Sequence, residues 1–226
     1  MKMSYRYCNR QVKEMVENKQ NKLELRDKII AFAMPEFYKR GVKAVKMDEI
    51  SVELHVSKRT VYEIFGDKEE MLIAGIKAKH EEMKRKVEAY ASAKAKNVID
   101  VISYVYRQQM ELNKMVGVVF YEEIHRMPRV VKFLQELRAQ ERDDSLRFFE
   151  AGVSEGLFRA DVNYEILIDT ANVSMEEIMH RQLYRKYSMN DLFAHHFLIV
   201  IRGFCTEKGV RLLEKAMVSS EYAQSL

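Results

Sequence analysis

Apolar residues recur at helical spacing along most of the chain, beginning at Leu23. The first stripe occupies positions i, i+4, i+7, i+8 and i+12, which form one face of a helix. Its members are Leu25, Ile29, Phe32, Ala33 and Phe37. Gly41 is expected to end this helix, because glycine tolerates the left-handed conformation of a helix C-terminus. Pro35 lies inside the stripe and lacks a backbone donor, so a kink or a split is expected there.

Two short helical segments follow, at 47–54 and 58–65, separated by a three-residue turn. Neither segment can bury much surface alone, so both are expected to share a core with the first helix. Ser57, the last residue of the turn, is a typical helix N-cap and begins the second segment. Three helices with one tight turn between the last two predict a compact helix-turn-helix.

The rest of the chain reads as longer amphipathic helices. They are predicted at about 68–93, 98–112, 117–127, 128–156, 164–187 and 190–204. Only two prolines and eight glycines occur, which favours long helices over a sheet with many turns. The sequence therefore predicts an all-α fold in three parts: a polar, basic extension (1–22), a helix-turn-helix domain (23–70) and a larger helical domain (71–226).

An apolar run at 197–201 faces all sides of its helix, so its own core or another subunit must cover it. The basic extension at 1–22 reads as a solvated tail, and an arm on the DNA backbone is the alternative.

Composition adds little to this picture. The formal charge of +4 is a mild basic bias that decides nothing about partners. Cys8 and Cys205 form no C-x-x-C pair, which indicates two ordinary thiols. The polar N-terminus contains no signal peptide, and no apolar run is long enough to cross a membrane. A cytoplasmic protein is expected.

The segment from Ala31 to Leu72 carries a specific set of motifs. They are Phe37, Gly41, Ile50, the run Val56-Ser57-Lys58, Tyr62, Phe65 and the pair Lys68-Glu69. In this spacing the segment resembles the DNA-binding domain of the tetracycline-repressor (TetR) family. His55 stands where the family's turn usually has glycine, and Lys46 replaces the usual serine or threonine cap. Histidine tolerates a positive φ better than most residues, so the turn can still form.

The resemblance implies a transcription regulator that is not an enzyme and grips double-stranded operator DNA. The predicted DNA-binding residues are Lys46, Ser57, Lys58, Arg59, Thr60, Tyr62 and Lys68. Arginine can pair with guanine in the major groove and threonine can contact a base, whereas Tyr62 and the flanking lysines suit phosphates. Without the surrounding motif, Tyr62 would read as a packing residue and the lysines as solvated surface.

The resemblance also implies that the C-terminal domain binds a small-molecule inducer and forms a homodimer through the helices at 164–187 and 190–204. Methionine and aromatic residues suit an adaptable apolar pocket. The candidates are Tyr104, Met110, Phe120, Tyr121, His125, Phe149, Met175 and Met179. The alternative for each is ordinary core packing. No cofactor is expected.

Two Glu-x-x-His pairs offer a different interpretation. Glu122 with His125 and Glu177 with His180 have the spacing used by carboxylate-bridged di-iron sites in helical bundles. A helical metallo-oxidase is therefore one alternative, although it leaves the N-terminal motifs unexplained and no metal site is expected. A DNA-binding protein controlled by a partner protein, without a small-molecule effector, is another. Neither a Ser-His-Asp pattern nor a glycine-rich phosphate loop is evident.

Overall fold

The computed structural model describes the backbone of residues 2–218 and the side chains of residues 19–217. This part of the chain is all-α, as predicted, and its only extended pairing is one bridge between Phe158 and Cys205. The helices are α1 (Lys2–Arg40), α2 (Met47–Glu53), α3 (Lys58–Ile64), α4 (Lys68–Ala93), α5 (Val98–Met115), α6 (Val118–Ile124), α7 (Pro128–Gln140), α8 (Arg142–Ser154), α9 (Tyr164–His180), α10 (Met189–Phe204) and α11 (Glu207–Val218), with a 3₁₀ helix at Leu183–Arg185.

Two compact units make up the chain, Met1–Lys77 and Ala78–Leu226, and the division falls within α4. In the first unit, the inward stripe of α1 forms the core together with buried residues of the two short helices. Ile29, Ala33, Phe37, Ile50 and Val61 are all fully buried. Each short helix thus buries its apolar side chains against α1, as the sequence predicts.

Two details of α1 concern the expectations above. Pro35 lies within a helix that is continuous from Lys2 to Arg40, so it does not split the helix. Gly41 ends the helix in the left-handed region with φ 86°, and its amide donates to the Phe37 carbonyl at 2.9 Å. The side chains of residues 1–18, which include Cys8 and most of the predicted basic extension, lie outside the described residues.

The core of the second unit is built around α5, which packs against α8, α10 and α11. Its centre is aromatic: the Phe158 and Phe204 rings meet edge to face, with centroids 5.0 Å apart. Gly152 allows this packing, because a Cβ at that position would lie 1.9 Å from the Phe158 ring. Burial also raises the pKa of the Cys205 thiol to about 11, so the thiol stays protonated and unreactive at neutral pH.

Two predicted helix boundaries are wrong, and one helix was not predicted. The helix expected at 128–156 is interrupted at Glu141, where α7 ends and α8 begins. The helix expected at 164–187 ends at His180, and Gln182 then adopts a left-handed conformation with φ 55°. The helix at 190–204 is not the last one, because α11 follows it and buries Leu213 against the core.

Within residues 2–218, no helix combines the length and the apolar character that crossing a bilayer requires.

Candidate functional site

The turn between α2 and α3 holds the candidate DNA-reading helix in place. His55 adopts the left-handed conformation expected of it, with φ 52°. The Val56 amide donates to the Ser51 carbonyl at 3.0 Å and closes the turn. The Ser57 hydroxyl then accepts from the Thr60 amide at 3.0 Å, so the predicted N-cap of α3 is present. Lys46 lies at the N-terminus of α2 and makes no side-chain cap, also as expected.

The outer face of α3 is polar and accessible, whereas its inner face is buried. The Arg59 side chain is 88% exposed, and Lys58 and Tyr62 are also exposed. Val61, on the opposite side of the helix, is fully buried. Thr60 is half-buried beside Ser57, with the two hydroxyl oxygens 2.8 Å apart. The face therefore presents two cations and a phenol to solvent, on a helix whose opposite side is buried in the core.

Both cations of this face are held by carboxylates of the same unit. Lys58 Nζ lies 2.6 Å from Asp48 Oδ1, and Arg59 Nε lies 2.8 Å from Glu63 Oε1. These contacts raise the pKa of each cation above its ordinary value, so both side chains are charged at neutral pH. Exposed ion pairs contribute only about 0–1 kcal/mol, and a phosphate or a guanine can replace either carboxylate at little cost.

Lys68 lies in a different environment from the surface lysines. It is half-buried at the start of α4, and its ammonium donates to the carbonyls of Val42, Lys43 and Val45 at 2.8, 3.0 and 3.0 Å. These carbonyls belong to the loop between α1 and α2. The charge therefore stabilises the loop that precedes the helix-turn-helix, whether or not it also attracts a phosphate.

We expect Lys68→Met to lower the free energy of unfolding by about 1.5–3 kcal/mol, the usual contribution of hydrogen bonds from a charged group. Urea unfolding of the full chain measures this. Lys46→Met, at an exposed lysine of the same loop, is the matched control and should leave stability nearly unchanged. Unchanged stability of Lys68→Met together with weaker DNA binding would instead favour a purely phosphate-binding role.

A second candidate site is an apolar cavity of about 640 Å³ in the second unit. It is lined by aliphatic residues of α4, α5, α9 and α10 and by Met175, Phe148, Phe149, Phe193, Phe197 and Phe204. Of the eight predicted pocket residues, Phe149 and Met175 line this cavity. Its volume lies within the range of small-molecule pockets, about 300–1,000 Å³.

The other six predicted pocket residues lie elsewhere. Tyr104 stacks on Tyr90 with centroids 4.3 Å apart. Phe120 and Tyr121 are buried on α6, where Tyr121 packs against Tyr184. Met110 packs against the aromatic core, and Met179 is buried near the end of α9. His125 is exposed after the end of α6.

The polar residues of the cavity were missed by the sequence analysis. They are Glu141, Asp144, Ser145, Asn172 and His196. His196 could have been considered from the sequence, because it stands next to the apolar run of α10. The other four polar residues have no distinguishing local pattern. They line the same cavity only because α8 packs close to α9.

The two Glu-x-x-His pairs do not converge. Glu122 bonds Arg185, with Nε–Oε1 at 2.8 Å, and Glu177 pairs with Arg181. Each carboxylate is therefore engaged by an arginine. Among the residues that the structure describes, no group of three or more histidine, cysteine, aspartate or glutamate side chains is arranged to hold a metal ion.

Comparison with known proteins adds a family and a fold. The family model for bacterial regulatory proteins of the tetR family matches residues 29–74, which contain the C-terminal part of α1, all of α2 and α3 and the start of α4. No curated protein matches the chain in sequence.

Several solved structures share the fold over most of the chain. A transcriptional regulator from Saccharomonospora viridis in complex with choline is 16% identical, with a TM-score of 0.62 over 81% of this chain and 99% of that one. A TetR-family regulator from Cytophaga hutchinsonii is 15% identical, with a TM-score of 0.60 over 83% and 98%. The regulator FadR from Bacillus subtilis, in complex with stearoyl-CoA, is 16% identical, with a TM-score of 0.59 over 78% and 98%.

At these identities the structural matches show the fold alone, and the family rests on the segment that holds the helix-turn-helix. That segment presents the capped, outward-facing α3 described above. Over residues 29–74, the chain therefore matches bacterial regulatory proteins of the tetR family.

Proposed function

We propose that the protein is a homodimeric repressor that binds a near-palindromic operator and is released from it by a small molecule. The observation that carries the proposal is the outer face of α3, where two charged residues and a tyrosine stand exposed on a helix whose other side is buried. An exposed cationic helix next to a tight turn fits the major groove of DNA.

On this face each residue type has its own role. Arg59 would read a guanine, because a guanidinium can bond both O6 and N7 of that base. Lys58 and Thr60, in the same turn of α3, would contact neighbouring bases. Tyr62 and Lys46 would hold phosphates and so fix the position of α3 in the groove.

The proposed dimer forms through α9 and α10. Val173 on α9 is 64% exposed and Ile199 on α10 is 70% exposed. The two helices meet at Ser174 and His196, whose Oγ and Nδ1 atoms are 3.5 Å apart. Val173 is adjacent to Ser174 in the chain, and Ile199 lies about one turn from His196. Large apolar side chains left in water on neighbouring helices favour a second copy as their cover.

The proposed effector site is the 640 Å³ cavity. Two of the structurally similar regulators have been solved in complex with ligands, choline in one case and stearoyl-CoA in the other. In this chain α4 begins in the DNA-binding unit and its residue Val87 lines the cavity. Suppose that α4 has two positions and that the ligand binds one of them more tightly. The ligand can then change the affinity for DNA by at most the ratio of its own affinities for the two positions.

Selection of bound duplexes from a random pool tests the proposal. We expect enrichment of a near-palindrome whose half-sites are separated by about one helical turn of DNA or a multiple of it. Apolar small molecules that fit the cavity are then screened for release of the selected duplex. Recovery of no enriched sequence would contradict sequence-specific binding, and an enriched site without inverted symmetry would contradict the dimer.

A further inference from the structure

The polar groups of the cavity separate into two kinds. At the junction of α7 and α8, both carboxylates already have partners within the chain. Glu141 Oε1 lies 3.0 Å from His80 Nε2, and Asp144 Oδ2 lies 2.8 Å from Lys84 Nζ. Arg147 also pairs with Asp144. Contact with Lys84 and Arg147 lowers the pKa of Asp144, so its charge is already compensated within the chain.

Ser145 of α8 donates its hydroxyl to the Glu141 carbonyl at 3.0 Å, and the two remaining polar groups, Asn172 and His196, lie on α9 and α10. Asn172 is half-buried and has no hydrogen-bond partner among the described residues. His196 is also half-buried, and its one described hydrogen bond, between Nδ1 and Ser174 Oγ, is at the 3.5 Å limit of such contacts. An amide and an imidazole can each donate or accept a hydrogen bond. Covering these groups without a hydrogen bond is unfavourable. A ligand that bonds them therefore binds more tightly than one of similar size that does not.

Five phenylalanines and the aliphatic residues supply the rest of the wall. A charged group placed among them would lose its hydration, and the ions at the α7–α8 junction are already engaged with one another. Desolvation of an ion without a counter-charge is strongly unfavourable. The lining therefore favours a ligand without a formal charge.

We propose that the cavity binds a neutral, largely apolar molecule that carries one hydroxyl or carbonyl group, with this group bonded to Asn172 and His196. This ligand class rests on the proposed function, since it specifies the effector of the same site. The proposal sets the ligand apart from both the choline cation and the anionic stearoyl-CoA of the two similar regulators.

Three molecules with one alkyl chain and different head groups test the charge preference: 1-decanol, decanoate and decyltrimethylammonium. Each is titrated against the full chain loaded with the neutral fluorescent probe N-phenyl-1-naphthylamine, without DNA. We expect 1-decanol to displace the probe at a concentration about tenfold or more below those of the two ions. Equal or tighter binding of either ion, or no binding of the probe, would overturn the proposal.

Two variants locate the binding. Ala171 lines the cavity, so Ala171→Phe should fill it and abolish probe binding. Ala139→Phe adds the same ring at an exposed position of α7 and should leave probe binding unchanged. Asn172→Leu should weaken 1-decanol about three- to tenfold, the contribution of one hydrogen bond. Probe binding that survives Ala171→Phe in a folded protein would place the ligand elsewhere.

Failure of this proposal and failure of the proposed function give different results. The titrations use protein without DNA, so a preference for a charged ligand changes the ligand class and leaves the operator experiment standing. If Ala171→Phe does not fold, the head-group series on the unaltered chain still decides the charge preference.

Discussion

An Ile199→Glu variant will be monomeric at concentrations where the unaltered chain is dimeric. Ile199 is 70% exposed on α10, on the face proposed to pair with a second copy. Twofold symmetry places two new carboxylates in the same interface, and each costs on the order of several kcal/mol if it is buried without a partner. Sedimentation velocity across a concentration series measures the change. Because the side chain is exposed within one chain, the fold of the monomer should be retained.

The matched control is Val118→Glu, which introduces the same charge at a position on α6 that is 45% exposed. It should remain dimeric. Operator affinity should fall sharply for Ile199→Glu and stay unchanged for Val118→Glu, because two half-sites are held together only by a dimer. An Ile199→Glu protein that sediments like the unaltered chain would refute the interface.

An Arg59→Ala variant will bind the selected operator more weakly by about 1–3 kcal/mol per half-site, the value of one bidentate contact to guanine. A dimer makes this contact twice, so the loss in affinity is about thirtyfold or more. Titration of the labelled operator at fixed salt measures it. Duplex selection repeated with the variant should show a weakened preference for guanine at one position in each half-site.

Glu63→Gln provides the control for Arg59. It removes the carboxylate that holds Arg59 Nε at 2.8 Å and leaves the guanidinium in place. Because the exposed pair contributes little stability, this variant should fold normally and bind DNA as tightly as the unaltered chain or more tightly. Arg59→Ala with unchanged affinity and unchanged sequence preference would show that α3 does not read bases through this residue.

The sequence predicted the DNA-binding unit in detail because its signals are local. The helix predicted at 68–93 matches α4, whose first turn is capped by Asp67 Oδ1 accepting from the Glu70 amide at 2.7 Å. The left-handed turn at His55 and the Ser57 cap also follow from residue type and position alone. Such features depend on a few adjacent residues, so a pattern of apolar and polar positions is sufficient to predict them.

The errors occurred where the apolar pattern continues through a change in backbone. Glu141 ends α7 with φ −88° and ψ −4°, although apolar residues recur on both sides of it. Its side chain pairs with His80 of α4, a contact that no local pattern reveals. The absence of α11 from the prediction has another cause: Val210, Leu213 and Met217 stand at helical spacing, so the signal was present and was overlooked.

The sequence by itself determined the all-α fold, the order of most helices and the outward face of α3, because periodicity and capping act over a few residues. Tertiary structure alone decided that Lys68 bonds three carbonyls more than twenty positions away, and that Asn172 and His196 share a cavity with Phe149 and Met175. Periodicity shows which side chains point inward. Whether an inward side chain meets another side chain or an open space depends on how distant helices pack, and no local pattern contains that information.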